Sequence, residues 1–171
     1  SSDLSHKSPV IEFMYRKGQL LNLAGEKTSE QAVQYALSSA AKAVGVVLED
    51  YTITLKVEDV VGHYLFYIEA IEPVITKIKA LEMNNTLEQC LWKANPRYKA
   101  GVKAKRINEV DIHFVRKHTF QTLKQELLKR GASLNQVKIP RLIQDSLLLR
   151  LLEQNTISLS SCYTYKRTLK K

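Results

Sequence analysis

Tyr51, Ile53, Leu55 and Val57 alternate with Thr52, Thr54 and Lys56, and this period of two predicts a strand with one buried and one wet face. Tyr64, Phe66, Ile68 and Ala70 alternate in the same way just beyond Gly62 and predict a second strand close behind the first. Elsewhere the spacing becomes helical. Val33, Leu37, Ala40, Ala41 and Val44 follow Thr28 and Gln31, a capping-box pair, until Gly45 stops the pattern. Leu87, Cys90, Leu91 and Ala94 form another stripe behind a second capping box, Thr86 with Gln89, and Asn95-Pro96 ends it. The same Asn95-Pro96 pair predicts the cap and first residue of a further helix carrying Arg97, Lys99, Lys103, Lys105 and Arg106 around Tyr98. Val110, Ile112 and Phe114 predict a third core strand. Phe120, Leu123, Leu127 and Leu128 line a helix capped by Thr119, with Lys129 and Arg130 at its negative end.

The remaining segments are read by their punctuation. Residues 10–15 and 20–23 predict a hairpin turning at Gly18. Residues 71–85 lie between Pro73 and Asn84-Asn85 and predict a separate short helix, and residues 146–153 are leucine-rich and helical. Strands joined by short turns, with helices to cover them, imply an α+β domain with a mainly antiparallel sheet and helices packed on it. Residues 1–8 are expected to be disordered, residues 9–156 to form a single domain, and residues 157–171 to be a basic, flexible tail.

Composition narrows the partners. The 171 residues carry a formal net charge of +9, which favours anionic partners without choosing among them. Cys90 and Cys162 match neither a disulfide framework nor a metal-ligand spacing, and His6, His63, His113 and His118 are scattered, so a metal site has no support. A reducing cytoplasmic setting fits, and no apolar run is long enough to span a membrane. The chain starts Ser1-Ser2 without Met, as a fragment of a longer protein would. No Ser-His-Asp or Cys-His context, paired carboxylates or glycine-rich phosphate loop indicates a free-standing enzyme, and His63 after Gly62 reads as a structural histidine.

The stretch from Arg130 to Arg141 departs most from a packed or solvated helix. Gly131 can take the left-handed conformation that ends a helix, while Pro140 forbids helix and biases Ile139 to extended backbone, so Lys138 sits on a short directed segment. A lysine held that way can meet a phosphate or carboxylate as a point charge, and the nearby Arg141 can clamp one with two hydrogen bonds. An ordinary solvated loop explains the same residues equally well.

Several local signatures share an order along the chain: Glu26-Lys27-Thr28-Ser29-Glu30, Gly62-His63-Tyr64, Asn95-Pro96-Arg97-Tyr98, Thr119-Phe120, Arg130-Gly131-Ala132-Ser133 and Asn135-Gln136-Val137-Lys138-Ile139-Pro140-Arg141. Together they resemble the C-terminal domain of the GH3 family, acyl acid amido synthetases of the adenylate-forming class. His118 stands where the family often has Gly, and Val137 where plant members commonly carry an aromatic residue. The resemblance implies the mobile lid of a ligase that adenylates a carboxylic acid with ATP and Mg2+ and conjugates it to an amino acid. It implies Lys138 as the catalytic cation, Lys138 and Arg141 as nucleotide-binding residues, no cofactor bound to this fragment alone, and an N-terminal adenylation domain of the same chain as partner. The alternative is a basic α+β nucleic-acid-binding module. Its nearest signature, residues 61–67, lacks the basic residue before Gly62 and places Tyr64 and Phe66 on a face that the core wants.

Overall fold

The computed structural model describes residues 21–71, 75–133 and 137–158. In chain order the elements are α1 (Glu30–Val44), β1 (Leu48–Glu58), β2 (Val61–Ala70), α2 (Lys77–Ala94), α3 (Pro96–Lys103), β3 (Asp111–Val115), α4 (Thr119–Lys129) and α5 (Ser146–Gln154). The strands form one sheet in the order β1-β2-β3. β1 and β2 pair antiparallel from Leu48 opposite Ala70 to Glu58 opposite Val61, and β3 joins β2 in parallel, Leu65 opposite Asp111. The class is α+β, and the longer pairing is antiparallel. The parallel addition follows from the crossover through α2 and α3, which returns the chain to the end from which β2 started.

β2 is central and is buried along nearly its whole length, as expected for a strand covered on both faces. Tyr64, Phe66 and Ile68 pack with Val33 and Leu37 of α1 and with Met83, Leu87 and Leu91 of α2. Leu65 and Tyr67 face the other way, against Phe120 and Leu123 of α4 and Leu148 and Leu152 of α5. The Tyr64 and Phe66 rings therefore belong to the core and offer no platform for stacked bases.

Three local expectations change. Ser29, not Thr28, caps α1, its Oγ accepting from the Ala32 N–H at 3.1 Å, while Thr28 is buried in a bridge to Leu21. α2 is one helix capped by Thr76 and runs straight through Asn84-Asn85-Thr86. Asn84 does not break it because its amide donates to the Val110 carbonyl at 3.1 Å instead of competing for its own backbone. Thr119 is the first helical residue of α4. His118 holds the cap position at φ 70° without a side-chain bond, and Thr119 Oγ1 donates to the Arg116 carbonyl. The predicted hairpin lies outside the described residues apart from Leu21, Asn22 and Leu23, as does the tail beyond Ser158. Ile157 is held, its N–H donating to the Phe114 carbonyl at 2.7 Å.

α4 ends as its sequence predicts. Gly131 has φ 97°, its N–H reaches the Leu128 carbonyl at 3.0 Å, and the Ala132 N–H reaches Leu127 at 3.1 Å, the double closure of a Schellman motif. Arg130, at that end, grips Asp145 with Nη1 at 2.8 Å and Nη2 at 3.2 Å, while Asp145 Oδ1 caps α5 through the Leu147 and Leu148 N–H groups. These donors, Arg130 first, hold the Asp145 carboxyl down at about 2. The folded value lies below the unfolded one of about 3.9, so this stabilisation is present above about pH 4 and is lost as pH falls towards 2. Asp145→Ala is expected to cost about 1 kcal/mol near neutrality, lowering Tm by roughly 2–4 °C. Thermal unfolding from about pH 7 down to about pH 2 should show the difference from wild type closing in the acid range.

Candidate functional site

The chain leaving α4 returns along the free edge of β1. The Ile53 N–H donates to the Arg141 carbonyl and the Ile143 N–H to the Ile53 carbonyl, each at 2.8 Å, and Leu142 pairs in parallel with Ile53. Thr52 Oγ1 donates to the Pro140 carbonyl at 2.7 Å. Ile139, Leu142 and Ile143 are buried. Burying one such side chain is worth about 1.5–3 kcal/mol, whereas a partly exposed ion pair is worth about 0–1. Apolar burial therefore docks this ribbon, and the polar bonds set its register and direction. Lys138 stands one residue ahead of the first buried anchor and is exposed.

The two cations that the sequence assigns to one site differ in their surroundings. Arg141 Nη1 donates to Asp50 Oδ1 at 2.7 Å and to the Tyr51 carbonyl at 2.6 Å, and its guanidinium carbon lies 4.3 Å from the centre of the Tyr51 ring. Burial pushes the Tyr51 hydroxyl above its ordinary pKa, against the opposing pull of Arg141. Arg141 is thus tied to β1, while Lys138 has no ion-pair partner among the described residues.

Both residues line an open cleft of about 390 Å³, with Lys124 of α4 and with Glu30, Gln34 and Asp50. Across Asp50 and Lys124 lies a second cleft of about 450 Å³, bordered by Glu49, Glu69, His118 and Gln121. Glu69 is buried and caps α4 from the sheet, accepting from the His118 N–H and the Phe120 N–H at 3.0 Å each. Sequence reading passed over Glu69 and Lys124. The signal for Glu69 is a carboxylate on the strand facing a helix start that has no good cap of its own. The cleft sets the exposed Lys138 and Lys124 beside the tethered Arg141 and near acids, an arrangement that can accept an anionic group carried in from outside. Among the described residues no group of three His, Cys, Asp or Glu side chains could hold a metal ion.

A second polar cluster lies inside the fold. Asn95 Nδ2 donates to the Glu26 carbonyl and to Thr28 Oγ1, both at 2.9 Å, and Asn95 Oδ1 takes the Arg97 N–H. The Tyr64 hydroxyl donates to the Glu26 carboxylate, which also receives the Leu23 and Ala24 N–H groups. With that proton committed, Thr28 is the donor to the Tyr64 oxygen across 3.4 Å. Tyr98 stacks on Tyr64 at 5.3 Å and donates to Glu88, which further accepts from Trp92 Nε1 and the Val110 N–H. Burial raises the Glu88 carboxyl above its ordinary value despite these donors, and it raises the Tyr64 and Tyr98 hydroxyls too, aided by the neighbouring glutamates. His63 is buried, and burial pushes its pKa down. On the basic helix α3, Lys99 and Lys103 lie over Trp92, 5.5 and 5.8 Å from its centre.

Residues 31–147 match the profile of the GH3 family C-terminal domain. The chain belongs to the GH3 family. It is 28% identical over 164 residues to indole-3-acetic acid-amido synthetase GH3.3 of Arabidopsis thaliana, a match that covers 90% of this chain and 27% of that protein. It is 27% identical over 161 residues to indole-3-acetic acid-amido synthetase GH3.8 of Oryza sativa subsp. indica, covering 88% of this chain and 26% of the relative. The solved structure of GH3.15 acyl acid amido synthetase superimposes with a TM-score of 0.74 at 28% identity, over 84% of this chain and 27% of that one. The chain thus spans about a quarter of the length of the GH3 relatives it matches.

Within this GH3 domain, three of the motifs that carry the resemblance converge in the buried cluster: Glu26 and Thr28, Tyr64, and Asn95 with Tyr98. They act on packing. Lys138 and Arg141, from the motif with the longest match, border an open cleft, as does Glu30 of the first motif. Asn95→Ala removes a helix cap and leaves Thr28 and the Glu26 carbonyl without their buried donor, so a loss of about 2–3 kcal/mol is expected. Asn95→Asp keeps the cap oxygen but not the donor. Urea unfolding should place it between wild type and Asn95→Ala.

Proposed function

We propose that this chain is the mobile C-terminal lid of an ATP-dependent acyl acid amido synthetase, which adenylates a small carboxylic acid and transfers the acyl group to an amino acid. The observation that carries this reading is Lys138: an exposed lysine, without an ion-pair partner among the described residues, beside the buried Ile139 on a ribbon bonded to β1, in a cleft shared with Lys124 and Arg141. The relatives support it, since GH3.3, GH3.8 and GH3.15 are amido synthetases. The substrate pockets and the N-terminal adenylation domain belong, on this reading, to the remainder of the enzyme, and the setting is the cytoplasm. Among the described residues no helix is long and apolar enough to cross a membrane.

The chemistry asks little covalent work of this domain. In the first step a carboxylate oxygen attacks the α-phosphorus of ATP and the bond to the β-phosphate oxygen breaks, releasing pyrophosphate. In the second the amine nitrogen attacks the acyl carbon, AMP leaves, and the nitrogen gives up a proton. Negative charge moves onto the leaving pyrophosphate in the first step, and a cation delivered to it lowers the barrier by being favoured more in the transition state than before it. Lys138 is that cation, entering when the lid closes. Arg141 has committed Nη1 to Asp50 and Tyr51, and its Nε and Nη2 donors serve the nucleotide. On this reading the Mg2+ that accompanies ATP is held by the phosphates and by the remainder of the enzyme.

In the full-length enzyme Lys138→Ala should slow acid-dependent pyrophosphate exchange by roughly 10²–10³-fold, the usual effect of deleting one preorganised charge-stabilising donor. The unfolding midpoint should stay within about 1 °C of wild type, because an exposed lysine makes little stability. Exchange at the wild-type rate would remove Lys138 from the mechanism.

A further inference from the structure

A lysine that acts by arriving at one place depends on whatever fixes its backbone, and here the fixing falls to two polar side chains of β1 that have no role in the reading above. Asp50 stands where the pairing of β1 with β2 slips register, between Leu48 and Asp50, and such a bulge turns a side chain out of the regular pleat. Its Oδ1 accepts from the Tyr51 N–H at 2.8 Å and from Arg141 Nη1 at 2.7 Å. The carboxylate is therefore held by its own strand while it holds the arginine. Thr52 is buried and spends its hydroxyl proton on the Pro140 carbonyl at 2.7 Å. The two side chains thus seize consecutive residues, Pro140 and Arg141. Pro140 has its φ set by its ring, and the preceding Ile139 is buried, so few soft dihedrals remain between this double grip and Lys138.

Stability alone explains the pair poorly. The partly exposed Asp50–Arg141 contact adds little to a ribbon already docked by Ile139, Leu142 and Ile143. What the two bonds do specify is direction. Arg141 is pulled along β1 towards Asp50, Pro140 is pulled onto Thr52, and the residues before them leave the strand edge at the mouth of the cleft that Lys138 lines.

We propose that Asp50 and Thr52 are positioning residues for the adenylation step, Asp50 acting through Arg141 and Thr52 through the Pro140 carbonyl to aim Lys138 at the phosphates. Neither touches substrate. This inference rests on the assignment of Lys138 and adds to it the means by which the lysine is aimed.

The test uses pyrophosphate exchange by the full-length enzyme with Asp50→Ala, Asp50→Asn, Thr52→Val and Thr52→Ser, each in the wild-type and the Lys138→Ala background. Asp50→Ala and Thr52→Val should each lower kcat by on the order of 10- to 100-fold, the cost of a misplaced group, with KM for the acid within about twofold in both and KM for ATP within about twofold in Thr52→Val. Asn at 50 keeps the accepting oxygen and Ser at 52 keeps the hydroxyl, so both should recover most of the loss. In the Lys138→Ala background Thr52→Val should not slow exchange further, because nothing is left to aim, and Asp50→Ala should lose only the share that Arg141 contributes to holding ATP, read as a raised KM for ATP at unchanged kcat. Equal losses of kcat in both backgrounds, or full activity of Asp50→Ala and Thr52→Val in an enzyme that Lys138→Ala does slow, would overturn the positioning role and leave Lys138 in place. A silent Lys138→Ala would instead sink the assignment of the lysine, and the positioning role with it. Thr52→Val preserves the shape and branching of the side chain, so it decides the matter even where Asp50→Ala fails to accumulate.

Discussion

The proton that Tyr64 gives to Glu26 is the commitment on which the interior of this domain turns. Once it is made, Thr28 must donate to Tyr64 and is left to accept from Asn95, so the direction of every bond in the relay is determined. The relay ties together parts of the chain that lie far apart: the segment before α1, the central strand, and the joint between α2 and α3. Its members are polar groups in a dry place, and each is tolerable only because the others are present. Such a cluster is sensitive to the loss of one member, which explains why its residues form short, recognisable motifs without touching an outside molecule.

The sheet divides the work between its faces. On one side α1 and α2 build the larger apolar core around the relay. On the other, α4, α5 and the ribbon after Lys138 make a smaller core whose rim is the open cleft. Glu69 links the two through β2: it is buried in the sheet, yet its oxygens hold the backbone at the start of α4, the helix that brings Lys124 to the cleft.

Periodicity found the strands because their apolar positions repeat at every second residue, and it found α1 and α4 because their stripes are uninterrupted, while α3 was read from its Asn95-Pro96 start. It divided α2 at Asn84-Asn85-Thr86 because propensity treats asparagine as a competitor for local backbone. The distant Val110 carbonyl that occupies Asn84 is invisible in one dimension. The parallel entry of β3 was hidden for a related reason, since hydrophobic spacing carries no sign of strand direction. At the cleft, the exposed place of Lys138 on a directed segment was legible from Gly131 and Pro140. The embrace of Arg141 by Asp50 was not, because those two residues stand 91 positions apart. Chain separation hides a contact of this kind however strong it is.

The docking of Ile139 beside Lys138 has a mechanical consequence. A charge on a loose loop would search for its target by its own small motions, and the search would have to end anew at every turnover. Here the backbone next to the lysine is welded to β1, and β1 to the helices behind it. Within the proposed lid the lysine therefore travels as the tip of a lever. On that proposal its timing is set by rotation of the whole domain about whatever joins it to the rest of the enzyme, and the entropy of placing its backbone is spent once, when the domain folds, instead of once per catalytic cycle.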